Sequence, residues 1–137
     1  MDKKYVLMAI KPQYANLIKS GEKKAELRRV APHVNPGDIL VIYESAPISK
    51  VTSYAEIAAL IQMPPCTLWE SVGADAKIDK GNFDSYFYNK EVGSALKLIN
   101  IKVLTEARSL NAVSGLRAPQ NYRYMSEMDF NLLCGKK

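Results

Sequence analysis

Short apolar runs interrupted by proline and glycine are the sequence feature that most constrains the fold of this chain. The runs cover residues 5–10, 39–43 and 50–61, and the breakers beside them are Pro12, Gly37, Pro47 and the Pro64-Pro65 pair. Each run is long enough for one strand, and proline ends it because proline cannot donate a hydrogen bond to a neighbouring strand. Several short strands with helical segments between them predict an α+β domain whose sheet closes, fully or in part, into a mixed β-barrel.

Other segments add helices and further strands. The predicted helices cover residues 12–20, 67–72, 83–89 and 126–134, with Pro12 and Ser126 as start signals and Gly21 and Gly135 as stop signals. Two more strands are predicted over residues 23–30 and 95–104, the latter with Leu96, Leu98 and Asn100 on one face. Residues 105–124 are predicted to be irregular. No repeat, linker or low-complexity tract interrupts residues 1–137, so we expect a single domain with about five or six strands and short peripheral helices.

Composition excludes several classes of protein. Apolar residues make up 47% of the 137 residues and charged residues 24%, which is typical of a globular domain with one core. No apolar run approaches the roughly 20 residues that span a membrane, and the N-terminal run is too short for a signal peptide, so we expect a cytoplasmic protein. Cys66, Cys134 and the single histidine, His33, are too few for a disulfide framework or a metal site. No glycine-rich phosphate loop is present, and no cofactor is predicted.

The densest charged motif directly follows the first predicted helix. Gly21, Lys23, Glu26 and Arg28 form a G-x-K-x-x-E-x-R pattern. Glu26 and Arg28 are two residues apart on a strand, so they point to the same side, and Lys23 precedes the regular strand and can turn toward them. The pattern predicts either a charged cleft or an exposed strand with ordinary surface ion pairs. The formal net charge of +5 is compatible with a polyanionic partner and, equally, with simple solubility.

This pattern resembles the signature of the ASCH family, which belongs to the PUA-like superfamily. Residues 8–14 and 37–45 also resemble segments of the family. Residues 83–87, 95–98 and 119–124 resemble a small archaeal and bacterial branch of it, and all these segments occur in the same order. The resemblance covers nearly the whole chain. It implies a PUA-like β-barrel with a cleft between the barrel and the helix and loop before the signature strand.

The resemblance also implies that this cleft takes up RNA or a nucleotide-like small molecule. Lys23, Glu26 and Arg28 match the family's cleft residues one by one. The two cations would meet phosphate, and Glu26 would accept from a base amino group or hold the cations in place. Ser45 is a further candidate that would supply a hydroxyl, although a turn residue before Pro47 is the alternative interpretation.

Three residues near the C-terminus are also candidate RNA contacts. Tyr122 and Tyr124 would stack on unpaired bases, with Arg123 beside them. The alternative for both tyrosines is packing at the edge of the core with a bonded hydroxyl.

Hydrolysis is the alternative function, because some relatives are enzymes. One branch deacetylates N4-acetylcytidine with a Lys, a Thr and a Glu. Lys23 matches that Lys, Glu26 stands at the position of the Thr, and Glu56 is the candidate for the Glu. In an enzyme, Lys23 would act as base or nucleophile and Glu26 as acid or base. Another relative is described as a ribonuclease, and this chain has no second histidine for the usual acid–base pair. A protein-recruiting module is the third class, for which the residues provide no signal.

Overall fold

The computed structural model describes residues 2–135 and contains one six-stranded sheet with four α-helices around it. Met1, Lys136 and Lys137 lie outside the described residues. The elements are β1 (Tyr5–Ile10), α1 (Pro12–Lys19), β2 (Ala25–Arg28), β3 (Ile39–Glu44), β4 (Lys50–Met63), α2 (Pro65–Ala76), α3 (Lys80–Tyr86), β5 (Gly93–Arg108), β6 (Tyr122–Met125) and α4 (Glu127–Cys134), with a short 3-10 helix at Leu110–Ala112. Between residues 2 and 135 no helix is both long and apolar enough to cross a bilayer.

The strand order is β2-β5-β4-β3-β1-β6. β1 and β3 are parallel, and every other pair is antiparallel. The sheet curls around a core to which β1, α1, β3, β4 and β5 all contribute buried residues. This arrangement confirms the predicted α+β class and the mixed, partly closed barrel.

The two edge strands of the sheet meet through side chains instead of a backbone ladder. The Arg28 Nη2 atom donates to the carbonyl of Asn121 at 3.2 Å. The Tyr122 hydroxyl donates to the carbonyl of Ala31 at 3.4 Å, and the backbone N–H of His33 donates to the Tyr124 hydroxyl at 2.8 Å. We call this line, where β2 and residues 29–34 face β6, the seam. The barrel is therefore half-closed.

Two further clusters cover the outside of the sheet. Residues of α4 and the 3-10 helix pack over β1 and β3, with Leu133 fully buried there. α2 and α3 pack over β2 and β5, where the side chain of Phe83 lies in contact with the rings of Trp69 and Phe87 at centroid distances of 5.0 and 4.8 Å. This second layer places α2 and α3 beside the charged motif.

An ion pair between a half-buried lysine and a buried carboxylate connects the end of α1 to the sheet. The Lys19 Nζ atom lies 2.6 Å from the carboxylate of Glu44, which also accepts a hydrogen bond from the Thr52 hydroxyl at 2.6 Å. Glu44 is 2% exposed. A buried carboxylate needs such partners because its removal from water is costly.

The prediction that residues 105–124 are irregular was wrong at both ends of the segment, whereas residues 113–121 are irregular, as predicted. β5 continues to Arg108 along β4, and β6 begins at Tyr122 because it pairs with β1 from Tyr5 to Met8. Both errors come from pairing with distant strands, which local composition does not report. α2 is longer than predicted, and α3 begins at Lys80 because the Asp79 side chain accepts from the backbone N–H of Asn82.

The predicted face of β5 was wrong at one position. Leu96 and Leu98 point into the curl, as predicted, but Ile101 packs there in place of Asn100. Asn100 has a φ of +53° and lies where the β4–β5 register shifts. A bulge of this kind adds one residue to a strand and reverses the alternation beyond it.

Candidate functional site

A cavity of about 580 Å³ opens at the end of the seam where Arg28 bonds to Asn121. Its walls come from the β1–α1 junction, the charged motif, the α2–α3 region and the segment before β6. The lining residues are Ala9, Ile10, Lys11, Tyr14, Lys23, Glu26, Leu27, Arg28, Ser45, Ile78, Asn82, Ser85, Tyr86, Gln120 and Asn121. Lys23, Glu26 and Arg28 thus converge on one hollow.

The backbone around Gly21 positions Lys23. Gly21 has a φ of +85°, which glycine adopts without steric cost, and the N–H groups of Glu22 and Lys23 then both donate to the carbonyl of Leu17. Two backbone hydrogen bonds hold Lys24, the next residue. Its N–H donates to the backbone carbonyl of Asp75, and the carbonyl of Lys24 accepts from the N–H of Leu98. The chain therefore leaves α1 in a fixed direction, and the side chain of Lys23 turns toward the cavity.

Lys23 is a buried cation, 3% exposed. Its Nζ atom donates to the carbonyl of Ala76 at 2.5 Å and lies 5.3 Å from the centre of the Tyr14 ring. Ala76 is the last residue of α2, and the carbonyls at a helix C-terminus are unpaired and carry partial negative charge. Since an ammonium has three donors, two are left for a ligand.

Glu26 and Arg28 form an ion pair inside the cavity. The Arg28 Nη1 atom lies 3.2 Å from a Glu26 carboxylate oxygen, while Nη2 donates to both the backbone and the side-chain oxygen of Asn121. The Arg28 Nε atom is buried and has no hydrogen-bond partner among residues 2–135. Arg28 therefore bridges the seam and still offers one donor.

Burial moves the pKa values of the lysine and the carboxyl toward each other. Burial lowers the pKa of the Lys23 ammonium from its ordinary value, and the Glu26 carboxylate partly offsets that effect. Burial raises the pKa of Glu26, against the opposing influence of Lys23 and Arg28. A lysine and a carboxyl shifted in these directions are suited to proton transfer, and such shifts are common at functional sites.

The charge of the cavity favours an anionic ligand. Lys11, Lys23 and Arg28 are cationic and Glu26 is the one acidic residue among those lining the cavity. Nowhere in residues 2–135 are three or more His, Cys, Asp or Glu side chains grouped as metal ligands.

The other candidate residues lie in two places, the cavity and β6. Ser45 lines the cavity. Tyr122, Arg123 and Tyr124 are on β6, next to the cavity residue Asn121 but outside the lining. Both tyrosine hydroxyls bond to residues 31–33 across the seam, and the Arg123 guanidinium donates to the carbonyl of Arg117 at 3.4 Å.

Glu56 lies apart from Lys23. It accepts a hydrogen bond from Asn100 at 2.9 Å and lines a different groove, with Tyr54 and Lys102. The cavity residues therefore offer no second carboxylate in support of the deacetylase arrangement.

Several cavity residues were not among the predicted site residues. Tyr86 ties α3 to β2, because its hydroxyl donates to the carbonyl of Leu27 and accepts from the N–H of Arg29, both at 3.3 Å. Asn82 and Ser85 lie on the same helix, and Lys11, Gln120 and Asn121 come from other segments. All of them except Asn82 had a sequence signal, since they belong to the segments 8–14, 83–87 and 119–124 that resemble the family.

Comparisons with known proteins identify the family and the fold. The ASCH domain family model matches residues 8–114. The chain belongs to the ASCH domain family. A curated relative from Zymomonas mobilis subsp. mobilis, described as an ASCH domain-containing ribonuclease, is 29% identical over 116 residues, which cover 79% of this chain and 78% of the relative.

Solved structures share the ASCH fold described above. The crystal structure of ASCH from Zymomonas mobilis has a TM-score of 0.88 at 24% identity and covers 96% of this chain and 94% of that chain. The N-terminal domain of Staphylothermus marinus McrB has a TM-score of 0.58 at 9% identity, covering 97% of both chains. These likenesses confirm the fold, a mixed half-barrel with peripheral helices.

Proposed function

We propose that this ASCH domain binds single-stranded RNA and takes one nucleotide into the seam cavity. The observation that carries the proposal is the convergence of Lys23, Glu26 and Arg28 on a hollow of about 580 Å³. That volume lies in the range of small-molecule sites, about 300–1,000 Å³. The ribonuclease description of the Zymomonas relative supports RNA as the polymer.

The cations of the cavity are suited to a phosphate group. Lys23 has two donors left beside its bond to Ala76, and Arg28 has its unpaired Nε. Charge-assisted hydrogen bonds to phosphate are about twice as strong as neutral ones. A phosphate that took both Nη atoms of Arg28 would have to displace Glu26 and Asn121, so we expect it to meet Lys23 and Nε first.

Aromatic rings on two walls are suited to a nucleobase. Tyr14 is supplied by α1 and Tyr86 by α3, and both line the cavity. A base placed between them would gain stacking energy, about 1–3 kcal/mol for each stacked base. Ser45 offers a hydroxyl in the same space.

The strand β6 extends the proposed interface beyond the cavity. Tyr124 is 46% exposed, and its ring lies 6.1 Å from that of Tyr122. Arg123 is exposed on the opposite face of the strand. We expect Tyr124 and Arg123 to contact nucleotides that flank the bound one, whereas Tyr122 packs against the core of the curl.

Fluorescence anisotropy with a labelled single-stranded RNA tests the proposal. Binding by phosphate contacts predicts that log affinity falls linearly with log salt between about 50 and 200 mM. Competition with a nucleoside monophosphate separates a mononucleotide site from a strand-binding surface, since a cavity that holds one nucleotide should release the strand. If no RNA binds at low salt, the proposed function is wrong.

RNA cleavage is the second candidate, favoured by the Zymomonas relative and by the opposite pKa shifts of Lys23 and Glu26. A neutral Lys23 would take the proton of the ribose 2′-hydroxyl, whose oxygen attacks phosphorus. A protonated Glu26 would give its proton to the leaving 5′-oxygen. The products are a 2′,3′-cyclic phosphate and a 5′-hydroxyl.

Gel analysis of an end-labelled RNA tests this candidate. Cleavage should disappear in Lys23→Met and Glu26→Gln, and an RNA with a 2′-deoxy nucleotide at the cleaved position should be resistant. Cleavage that survives both substitutions would exclude this pair as the acid and base.

A cytoplasmic location stays a prediction, which microscopy of the tagged chain tests.

A further inference from the structure

The hydrogen bond from Arg28 determines the orientation of the Asn121 side-chain amide. Arg28 donates from Nη2 to the Asn121 side-chain oxygen and to its backbone carbonyl. A guanidinium has donors only, so the amide must turn its oxygen toward Arg28. The nitrogen with its two hydrogens then faces away from Arg28, and it donates to no group within residues 2–135.

The backbone of Asn121 is held equally firmly. Its carbonyl accepts from the N–H of Ala9 at 2.9 Å as well as from Arg28. Asn121 lines the cavity. A donor held on both sides loses little conformational entropy when a ligand binds, so it discriminates strongly between an acceptor and a donor on that ligand.

A second cavity amide has the opposite orientation. The Asn82 side-chain nitrogen donates to the Asp79 carboxylate at 2.9 Å. Because a carboxylate only accepts, the Asn82 oxygen is the atom left for a ligand. The cavity lining therefore presents a hydrogen-bond donor, the side-chain nitrogen of Asn121, and an acceptor, the side-chain oxygen of Asn82, from different walls.

We infer that Asn121 determines base specificity: it selects uracil and guanine, which have a carbonyl at C4 of the pyrimidine or C6 of the purine, over cytosine and adenine, which have an amino group at that position. This inference rests on the proposed RNA binding. Uracil and guanine pair a carbonyl with a ring N–H, which match the Asn121 donor and the Asn82 acceptor. An amino group in place of the carbonyl would set donor against donor. Arg28 acts as a positioning residue that fixes the Asn121 amide.

The test compares oligouridylate and oligocytidylate of about eight nucleotides, a length within the site sizes of single-strand binders. These probes differ at the base in one exocyclic group and its adjacent ring nitrogen. We expect the wild-type chain to bind the uridine probe about tenfold more tightly or better. Asn121→Asp keeps an oxygen for Arg28 and replaces the donor by an acceptor, so the order should reverse. Asn121→Ala should bind both probes more weakly and with similar affinity.

Asn111→Asp is the matched control, because Asn111 is exposed and lies outside the cavity lining. It introduces the same charge and should leave the order unchanged. Thermal unfolding establishes that each variant is folded. An unchanged ratio of affinities in Asn121→Asp, or an equal loss for both probes, would overturn base selection by Asn121 while leaving RNA binding intact. Failure of the wild-type chain to bind either probe would instead refute the proposed function, and this inference with it.

Discussion

Lys23 and Lys24 are adjacent lysines that the fold separates completely. The side chain of Lys23 is buried in the cavity, and that of Lys24 is exposed to solvent. Replacing each by methionine removes the same charge and keeps an unbranched chain of similar length. We expect Lys23→Met to weaken RNA binding strongly and Lys24→Met to weaken it little.

The expected magnitude follows from the environments of the two ammonium groups. A hydrogen bond from a charged group contributes about 1.5–3 kcal/mol, and 1.4 kcal/mol is a factor of ten in Kd. Loss of the Lys23–phosphate bond should therefore raise Kd roughly 10- to 150-fold. An exposed lysine contributes about 0–1 kcal/mol, as surface ion pairs do, so Lys24→Met should raise Kd about fivefold at most.

Anisotropy titrations at several salt concentrations measure both effects. If Lys23 contacts a phosphate, its loss should also reduce the slope of log affinity against log salt by about 0.7, the contribution of one single-strand phosphate. Chemical denaturation measures the stability of each variant, because Lys23→Met also removes the bond to Ala76. Equal losses in Lys23→Met and Lys24→Met, with both variants folded, would refute the reasoning and indicate binding to a diffuse basic surface.

Three further predictions concern pH, packing and the buried carboxylate. The folded-state pKa of Lys23 lies below 10.5. As pH rises from that pKa toward 10.5, RNA affinity should fall because Lys23 loses its charge, and the unfolding free energy should rise because the unfolded chain binds more protons than the folded one. Both trends should vanish in Lys23→Met. A Cβ on Gly93 would lie 2.7 Å from the ring of Phe87, so Gly93→Ala should lower the unfolding free energy by about 1–3 kcal/mol, and an unchanged denaturation midpoint would contradict this packing. Glu44→Ala should cost about 1–3 kcal/mol because the hydroxyl of Thr52 loses its acceptor, which Thr52→Val in the same background should partly restore.

The charged motif shows which part of the candidate site can be predicted from neighbouring residues alone. Alternation on a strand placed Glu26 and Arg28 on one side, and the glycine turn allowed Lys23 to join them; the structure brings all three to one cavity. These relations span only a few residues, so backbone geometry alone determines them. Pro12, Gly21 and Ser126 likewise marked helix boundaries correctly, since capping depends on neighbouring residues.

Contacts between segments that are distant in sequence determined the rest of the fold and of the candidate site. Four residues become β6 because β1 provides an open edge, and no pattern within 122–125 distinguishes them from a loop. Two other walls of the cavity are contributed by α3 and by Asn121, which are remote from the motif in sequence. α3 reaches the motif through the bonds of Tyr86 to β2, and Asn121 reaches it across the seam. The sequence by itself determined which charges share a side of one strand. Only the tertiary structure decided what faces them, because hydrogen bonds such as Arg28–Asn121 join residues that the chain separates by most of its length.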